Sequence, residues 1–130
     1  DTFYQAAYSD AIDLYKSENM DMALVLRKVP DVSRYGSVKL DNHMIIGFNE
    51  KVSDHISGVI NGGIYLMRKT VLDLIPEGKK CSLENEIIPQ MLAEKKKLGA
   101  VVNEGYFIDI GVPDDYFKFI KDVEQKNIEF

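Results

Sequence analysis

Apolar positions along this chain fall into short blocks of two kinds, and the kinds alternate. Ala11, Leu14 and Tyr15 recur at helical spacing, with Ser9 or Asp10 placed ahead of them as a cap. Ala23 to Val29 is a continuous apolar run broken only by Arg27 and Lys28. That length suits a buried strand, and Val29-Pro30-Asp31 ends it. Tyr35 to Leu40 alternates weakly, and Asp41-Asn42 turns it into Met44 to Phe48, so the pair reads as a β-hairpin. Gly58 to Met67 is a further apolar strand interrupted by Asn61-Gly62-Gly63, and Val71, Leu72 and Ile75 predict a short helix stopped by Pro76 and Gly78. Ser82 caps a helix running through Glu84, Ile87, Ile88, Met91 and Leu92, with Pro89 expected to kink it. Leu98 to Val102 and Tyr106 to Ile110 predict two more strands. Pro113 then sits at the first position of a last helix, with Asp114 and Asp115 in its first turn and Tyr116, Phe119, Ile120 and Val123 forming its apolar face. Interleaved helices and strands predict an α/β fold with a largely buried mixed sheet.

Composition narrows the class. The chain has 130 residues, one domain's worth or less, with 45% hydrophobic and 28% charged residues, which is globular usage. Its apolar runs fall far short of the ~20 residues of a membrane span. Sixteen Lys and Arg against 21 Asp and Glu leave a net charge of −5, which argues against a nucleic-acid backbone as partner. A single cysteine, Cys81, forms no internal disulfide, and no signal peptide opens the sequence, so a cytoplasmic protein is expected. The opening Asp1-Thr2-Phe3-Tyr4 reads as the later part of a larger domain, cut just after a strand.

Most familiar constellations are absent: no Gly-x-Gly-x-x-Gly, no P-loop, no Cys pair and no His-x-x-x-His. His43 and His55 stand alone in polar turns and read as surface residues. Lys95-Lys96-Lys97 reads as a solvated helix end favoured by the dipole. Cys81 follows Lys79-Lys80, which would lower its pKa, but no base is in view for a catalytic thiol. Asp109 is the more telling acid. It ends the apolar strand Tyr106 to Ile110, before Gly111 and the Pro113 helix. Ligands gather at the carboxyl ends of strands in open α/β sheets, so this carboxylate is poised for a hard cation or a ribose hydroxyl, or else it caps the last helix. Asp1 would also sit at a strand end in a longer domain. Two such carboxylates suit Mg²⁺, which takes one or two of them plus substrate phosphates. Glu50-Lys51 follows the Met44 to Phe48 strand, so Lys51 could pair a phosphate on the same rim. Asn61-Gly62-Gly63 either lets backbone approach a ligand or forms a bulge.

Taken in order, Asp1-Thr2-Phe3, Arg34-Tyr35-Gly36, Phe48-Asn49-Glu50-Lys51, Ile60-Asn61-Gly62-Gly63-Ile64-Tyr65, Ser82-Leu83-Glu84 and Phe107-Ile108-Asp109-Ile110-Gly111-Val112-Pro113 resemble the sugar-1-phosphate nucleotidyltransferases. Within that family the chain is most similar to the D-glycero-D-manno-heptose 1-phosphate guanylyltransferases. The resemblance implies the C-terminal portion of a Rossmann-like three-layer α/β/α domain across residues 1–130. It implies transfer of a nucleotidyl group from an NTP, GTP for this branch, to a sugar 1-phosphate, releasing pyrophosphate. Asp1, Lys51 and Asp109 would be the catalytic set, with Mg²⁺ on Asp1 and Asp109. Lys51 would hold the sugar phosphate, Glu50 and Glu84 the sugar hydroxyls, and Gly36, Asn61 and Gly62 would make close contacts to the sugar. Many relatives have Asn-Ala-Gly at positions 61–63, a change expected to be small.

The family's Gly-rich triphosphate signature and its base-selecting residues precede the position matching Asp1. The missing N-terminal half of the same domain is therefore an expected partner, and the 130 residues alone are expected to be inactive and to self-associate. Homo-oligomerisation is left open. Two rivals stand beside this reading: a mannose- or glucose-1-phosphate nucleotidyltransferase fragment, and a non-catalytic binding or assembly module.

Overall fold

The computed structural model describes residues 1–33, 35, 37–49, 56–125 and 127–128. Strand β2 (Met22–Val29) is its centre. Met22, Ala23, Leu24, Val25 and Leu26 are all fully buried, so both faces of the strand are covered. A strand buried on both sides is a continuous apolar run and not an alternating one. On one face Met22, Leu24 and Leu26 pack with Val38, Ile45, Val71, Ile88 and Met91. On the other, Val25 packs with Tyr4 and Ala11.

The sheet is mixed. Its order is β3 (Ser37–Asp41), β4 (Met44–Asn49), β6 (Leu98–Asn103), β2, β5 (Gly58–Met67). β2 and β6 are parallel, whereas β5 and the β3–β4 hairpin run antiparallel to their neighbours. Helix α1 (Tyr8–Ser17) lies on one face. A 3-10 turn (Lys69–Leu74), a single π-helical turn (Leu83–Ile87) and helix α2 (Ile88–Ala93) cover the other. The result is the expected three-layer α/β/α arrangement. None of the described helices is long and apolar enough to cross a membrane.

Several local expectations give way to better-satisfied alternatives. Helix α1 starts after Ala7, so Ser9 and Asp10 lie inside its first turn and do not cap it; Ser9 Oγ instead turns toward Asp10 Oδ1 at 3.4 Å. The hairpin turns on Asn42-His43, one residue later than expected, with Asn42 in the left-handed region at φ 53°. Ser82 does cap its helix. Its hydroxyl accepts from the Asn85 N–H at 3.2 Å while the Ser82 N–H donates to Glu86 Oε1 at 2.7 Å, a reciprocal arrangement that satisfies two orphan donors. The irregularity expected at Pro89 falls before it, in the π turn, and Pro89 takes a first-turn position of α2 where no N–H is needed.

The strand expected at Tyr106 to Ile110 belongs to a second, smaller sheet, whose other strand leaves no trace in the hydrophobic pattern. Thr2–Tyr4 forms strand β1, paired antiparallel with β7 (Phe107–Asp109) so that Thr2 faces Asp109 and Tyr4 faces Phe107. Helix α3 (Pro113–Glu124) docks beside this ribbon. Phe119 packs on Phe3 with ring centroids 4.9 Å apart. Asp122 accepts from the Tyr106 hydroxyl at 2.6 Å and from Lys118 Nζ at 3.0 Å, while Lys118 also lies over the Tyr106 ring. The expected face largely holds, with Phe119, Ile120 and Val123 half-buried, but Asp122 joins it and Tyr116 is left exposed.

The Tyr106–Asp122 contact gives the docking of α3 a pH signature. Burial and the adjoining Asp122 push Tyr106 up to about 12 from 10, and the Tyr106 and Lys118 hydrogen bonds hold Asp122 below its ordinary value. The raised phenol contributes stability below pH 10 that is lost as pH rises through about 12; the lowered carboxyl contributes stability above its ordinary pKa that is lost as pH falls through its folded value. Tyr106→Phe should therefore lower the melting temperature at neutral pH and remove the alkaline loss between pH 10 and 12. Thermal melts across pH on both proteins check this; an unchanged alkaline limb in Tyr106→Phe would show that the contact carries no such coupling.

Candidate functional site

The β1–β7 ribbon meets the main sheet at the parallel strands β2 and β6. One side chain ties it there. The Tyr4 hydroxyl donates to Leu26 O within β2 at 3.0 Å and to Asn103 O at the end of β6 at 2.9 Å, a three-centre bond that joins the two strands. The Tyr4 ring is buried and meets Phe107 edge-to-face at 5.3 Å. Burial raises its pKa despite the opposing pull of Arg27, so the phenol keeps its proton as a donor.

At the far end of the same ribbon are the two acids. Gly111 N–H donates both to Asp1 O and to Asp109 Oδ1, each at 3.1 Å, and the Asp1 backbone nitrogen lies 3.9 Å from that Oδ1. Asp109 thus closes an Asx turn and does not cap α3, whose N-cap is Val112. The Asp1 side chain is 95% exposed and that of Asp109 31%.

Asp1 meets Asp109 through its backbone, while its own carboxylate is exposed; the Asp109 carboxylate, held by a backbone N–H, is of the type that divalent cations take. Among the described residues no group of three or more His, Cys, Asp or Glu could enclose a metal ion. A cation here would draw its other ligands from water and phosphates, as Mg²⁺ commonly does.

A second polar group lies along β5. Asn61-Gly62-Gly63 is a β-bulge: the register runs from Val25↔Ile64 to Leu26↔Asn61, and Gly63 takes φ 79°. Asn61 Oδ1 accepts from Gly63 N–H at 3.0 Å, and its amide donates to Tyr65 Oη and to Glu84 Oε1. Both amide protons are thereby committed, which fixes the side chain and points it at Glu84 on the π turn. Glu84 is exposed. Tyr65 stands out in the sequence only as the end of a motif, with no role of its own. Its pKa is raised by burial first, with the Asn61 bond opposing and Glu84 reinforcing, so the hydroxyl stays protonated beside the carboxylate.

Gly62 joins the two groups. A Cβ there would lie 2.6 Å from the Tyr4 ring and 2.7 Å from Val25 O. Replacing Ala by Gly at this position is consequently not the small change expected from sequence, because the missing methyl is what admits Tyr4. Gly36, Glu50, Lys51 and His55 lie outside the described residues. Cys81 is corrected: burial and the neighbouring Glu86 raise its thiol pKa, and the flanking lysines do not lower it. An open groove bounded by Arg27, Lys28, Val29, Pro30, Ser57 and Glu104 flanks the end of β2.

Comparison with known proteins gives a consistent picture. The sequence model of the family described as nucleotidyl transferase matches residues 1–126. The chain is 32% identical over 124 residues to the D-glycero-alpha-D-manno-heptose 1-phosphate guanylyltransferase of Aneurinibacillus thermoaerophilus, covering 95% of this chain and 53% of that protein. It is 38% identical over 123 residues to the enzyme of the same name from Campylobacter jejuni, covering 92% and 52%. The crystal structure of HddC from Yersinia pseudotuberculosis superposes with a TM-score of 0.78 at 31% identity, covering 95% of this chain and 52% of that one. The chain spans about half the length of these relatives.

Gly62→Ala should destabilise the fold by ~1–3 kcal/mol through overpacking against Tyr4 and Val25 O. Urea unfolding of both proteins tests this, and a variant as stable as the parent would mean that the ring moves aside freely.

Proposed function

The chain belongs to the nucleotidyltransferase family, and from that premise we propose that residues 1–130 form the sugar-phosphate and metal-binding half of a sugar-1-phosphate guanylyltransferase acting on a heptose 1-phosphate. The nucleotide would be GTP, the products a GDP-sugar and pyrophosphate. The observation that carries the reading is the Thr2↔Asp109 register, with Asp1 and Asp109 sharing one backbone donor at the same ribbon end. Similarity to two heptose 1-phosphate guanylyltransferases supports the sugar and the base. The sugar phosphate and the triphosphate donor are multiply charged metabolites, which suits a cytoplasmic setting. In this reading the triphosphate cradle comes from the rest of the family domain.

In the proposed reaction an oxygen of the sugar phosphate attacks the α-phosphorus of the nucleotide in line, forming one P–O bond as the bond to pyrophosphate breaks. No group of the protein becomes covalently attached, so positioning and charge neutralisation carry the catalysis. Asp1 and Asp109 would hold Mg²⁺, which supplies positive charge against the phosphoryl oxygens. Lys51 would neutralise the sugar phosphate and align its attacking oxygen. Glu84, oriented by Asn61, would accept from sugar hydroxyls, with Glu50 doing the same; Gly36 and Gly62 would allow close approach of backbone. Glu84, held in place by Asn61, would discriminate between sugars, since a site built to pair a hydroxyl disfavours an analogue lacking it.

Asp109→Asn in the full-length protein keeps an Oδ1 for the Gly111 N–H and removes one charge. Turnover should fall by about 10²–10³-fold, with the melting temperature nearly unchanged. Pyrophosphate release from GTP and heptose 1-phosphate, followed against Mg²⁺ concentration, provides the measurement. Near-normal turnover at low Mg²⁺ would remove Asp109 from the metal site, and equal kcat/KM with mannose 1-phosphate would remove the heptose assignment.

A further inference from the structure

We infer that Tyr4 is a positioning residue that sets the acid pair against the sugar side of the site. This rests on the function proposed above for Asp1 and Asp109. Tyr4 is neither a proposed metal ligand nor a proposed substrate contact, yet it lies on the strand that leads from Asp1 and packs over the bulge that carries Asn61. Its hydroxyl bonds the carbonyls of Leu26 within β2 and of Asn103 at the end of β6, its ring faces Phe107 in the strand that ends on Asp109, and its edge fills the space over Gly62 of the Asn61 bulge. Only Phe3 separates Tyr4 from Thr2, whose partner is Asp109.

The ribbon has only two short strands, which is marginal on its own. Its placement against the sheet therefore depends on how it is anchored. A phenol is well suited to anchor it, because the ring supplies rigid contact area and the hydroxyl satisfies backbone acceptors of the two strands. If the hydroxyl is lost, the ring still packs, but the ribbon loses its hydrogen bonds to the carbonyls of β2 and β6. Asp1 and Asp109 would then sample a wider range of positions relative to Asn61 and Glu84. That loosens the site for a cation that must bridge protein and phosphate, and it does so without changing a ligand.

Tyr4→Phe in the full-length protein tests this with two readouts. The first is amide hydrogen exchange at Gly111, whose N–H bonds Asp1 O and Asp109 Oδ1. It should accelerate about three- to tenfold, the fold-change expected for losing one net hydrogen bond, while Leu24 in the core is unchanged. The second is the half-saturating Mg²⁺ concentration for turnover, which should rise by a similar factor. Phe107→Leu, which keeps the hydroxyl but removes the ring partner, should move both in the same direction and serves if Tyr4→Phe does not fold. Equal acceleration at Gly111 and Leu24 would mean that Tyr4 only stabilises the fold, and unchanged exchange at Gly111 would mean that it anchors nothing; either overturns the inference. The parallel Asp109→Asn measurement separates the cases: if that variant leaves the Mg²⁺ dependence untouched, the metal reading fails, and the exchange data alone still judge Tyr4.

Discussion

One phenol bridges the two parallel strands of this sheet. The carbonyls of Leu26, within β2, and of Asn103, the last residue of β6, both accept from Tyr4. Buried backbone acceptors must be met by something, and here the donor arrives from outside the sheet, on a strand that pairs only with β7. The ribbon joined to the sheet by that bond carries Asp1 and Asp109 at one end, and it holds helix α3 through the Phe3–Phe119 packing and the Tyr106–Asp122 contact.

The same ring packs over the bulge in β5. On the bulged strand a side chain at position 62 would collide with both Val25 O and the Tyr4 ring. The extra residues turn Asn61 so that its carbonyl oxygen closes onto Gly63 and its amide reaches Tyr65 and Glu84. A bulge that re-aims a side chain beside a site is a common use of that irregularity. Anchoring the acids and orienting the amide are thus two consequences of one packing arrangement.

The strength of the sequence signal follows the length of each element. β2 and β5 are legible because eight to ten residues of apolar run leave few alternatives. Ser82 is legible because a cap followed by Asn85 and Glu86 has a local logic. β1 is not, since three residues carry no periodicity and the strand exists only through its pairing to residues more than a hundred positions away. The cap of α1 shifts by two or three residues because Ser9 and Asp10 are favourable both at a cap and within a first turn. Of the candidate site, Asp109 is found from its place at a strand end, and Asn61 and Glu84 from family resemblance. Tyr4 carries no such signal: an aromatic residue near a terminus reads as ordinary core, and only the three-dimensional course of β6 brings Asn103 to its hydroxyl.

Charge gives the arrangement its chemical sense. The chain is acidic, with a net charge of −5, and the acids at the ribbon end would repel a phosphate if they stood unaccompanied. A site of this kind handles polyanions only when cations intervene, so the proposed roles of Mg²⁺ at Asp1 and Asp109 and of Lys51 on the sugar phosphate depend on each other. In the proposed reaction the carboxylates would recruit a charge that the protein does not carry itself, with the Asp109 carboxylate and the Asp1 backbone both held by the Gly111 N–H. A mobile pair of acids would also attract a cation, but it would not hold it at one distance from a reacting phosphorus. Orientation is the harder requirement in a phosphoryl transfer that needs no covalent help. On that ground the neutral, buried hydroxyl of Tyr4 matters to the proposed reaction as much as the charges it holds in place.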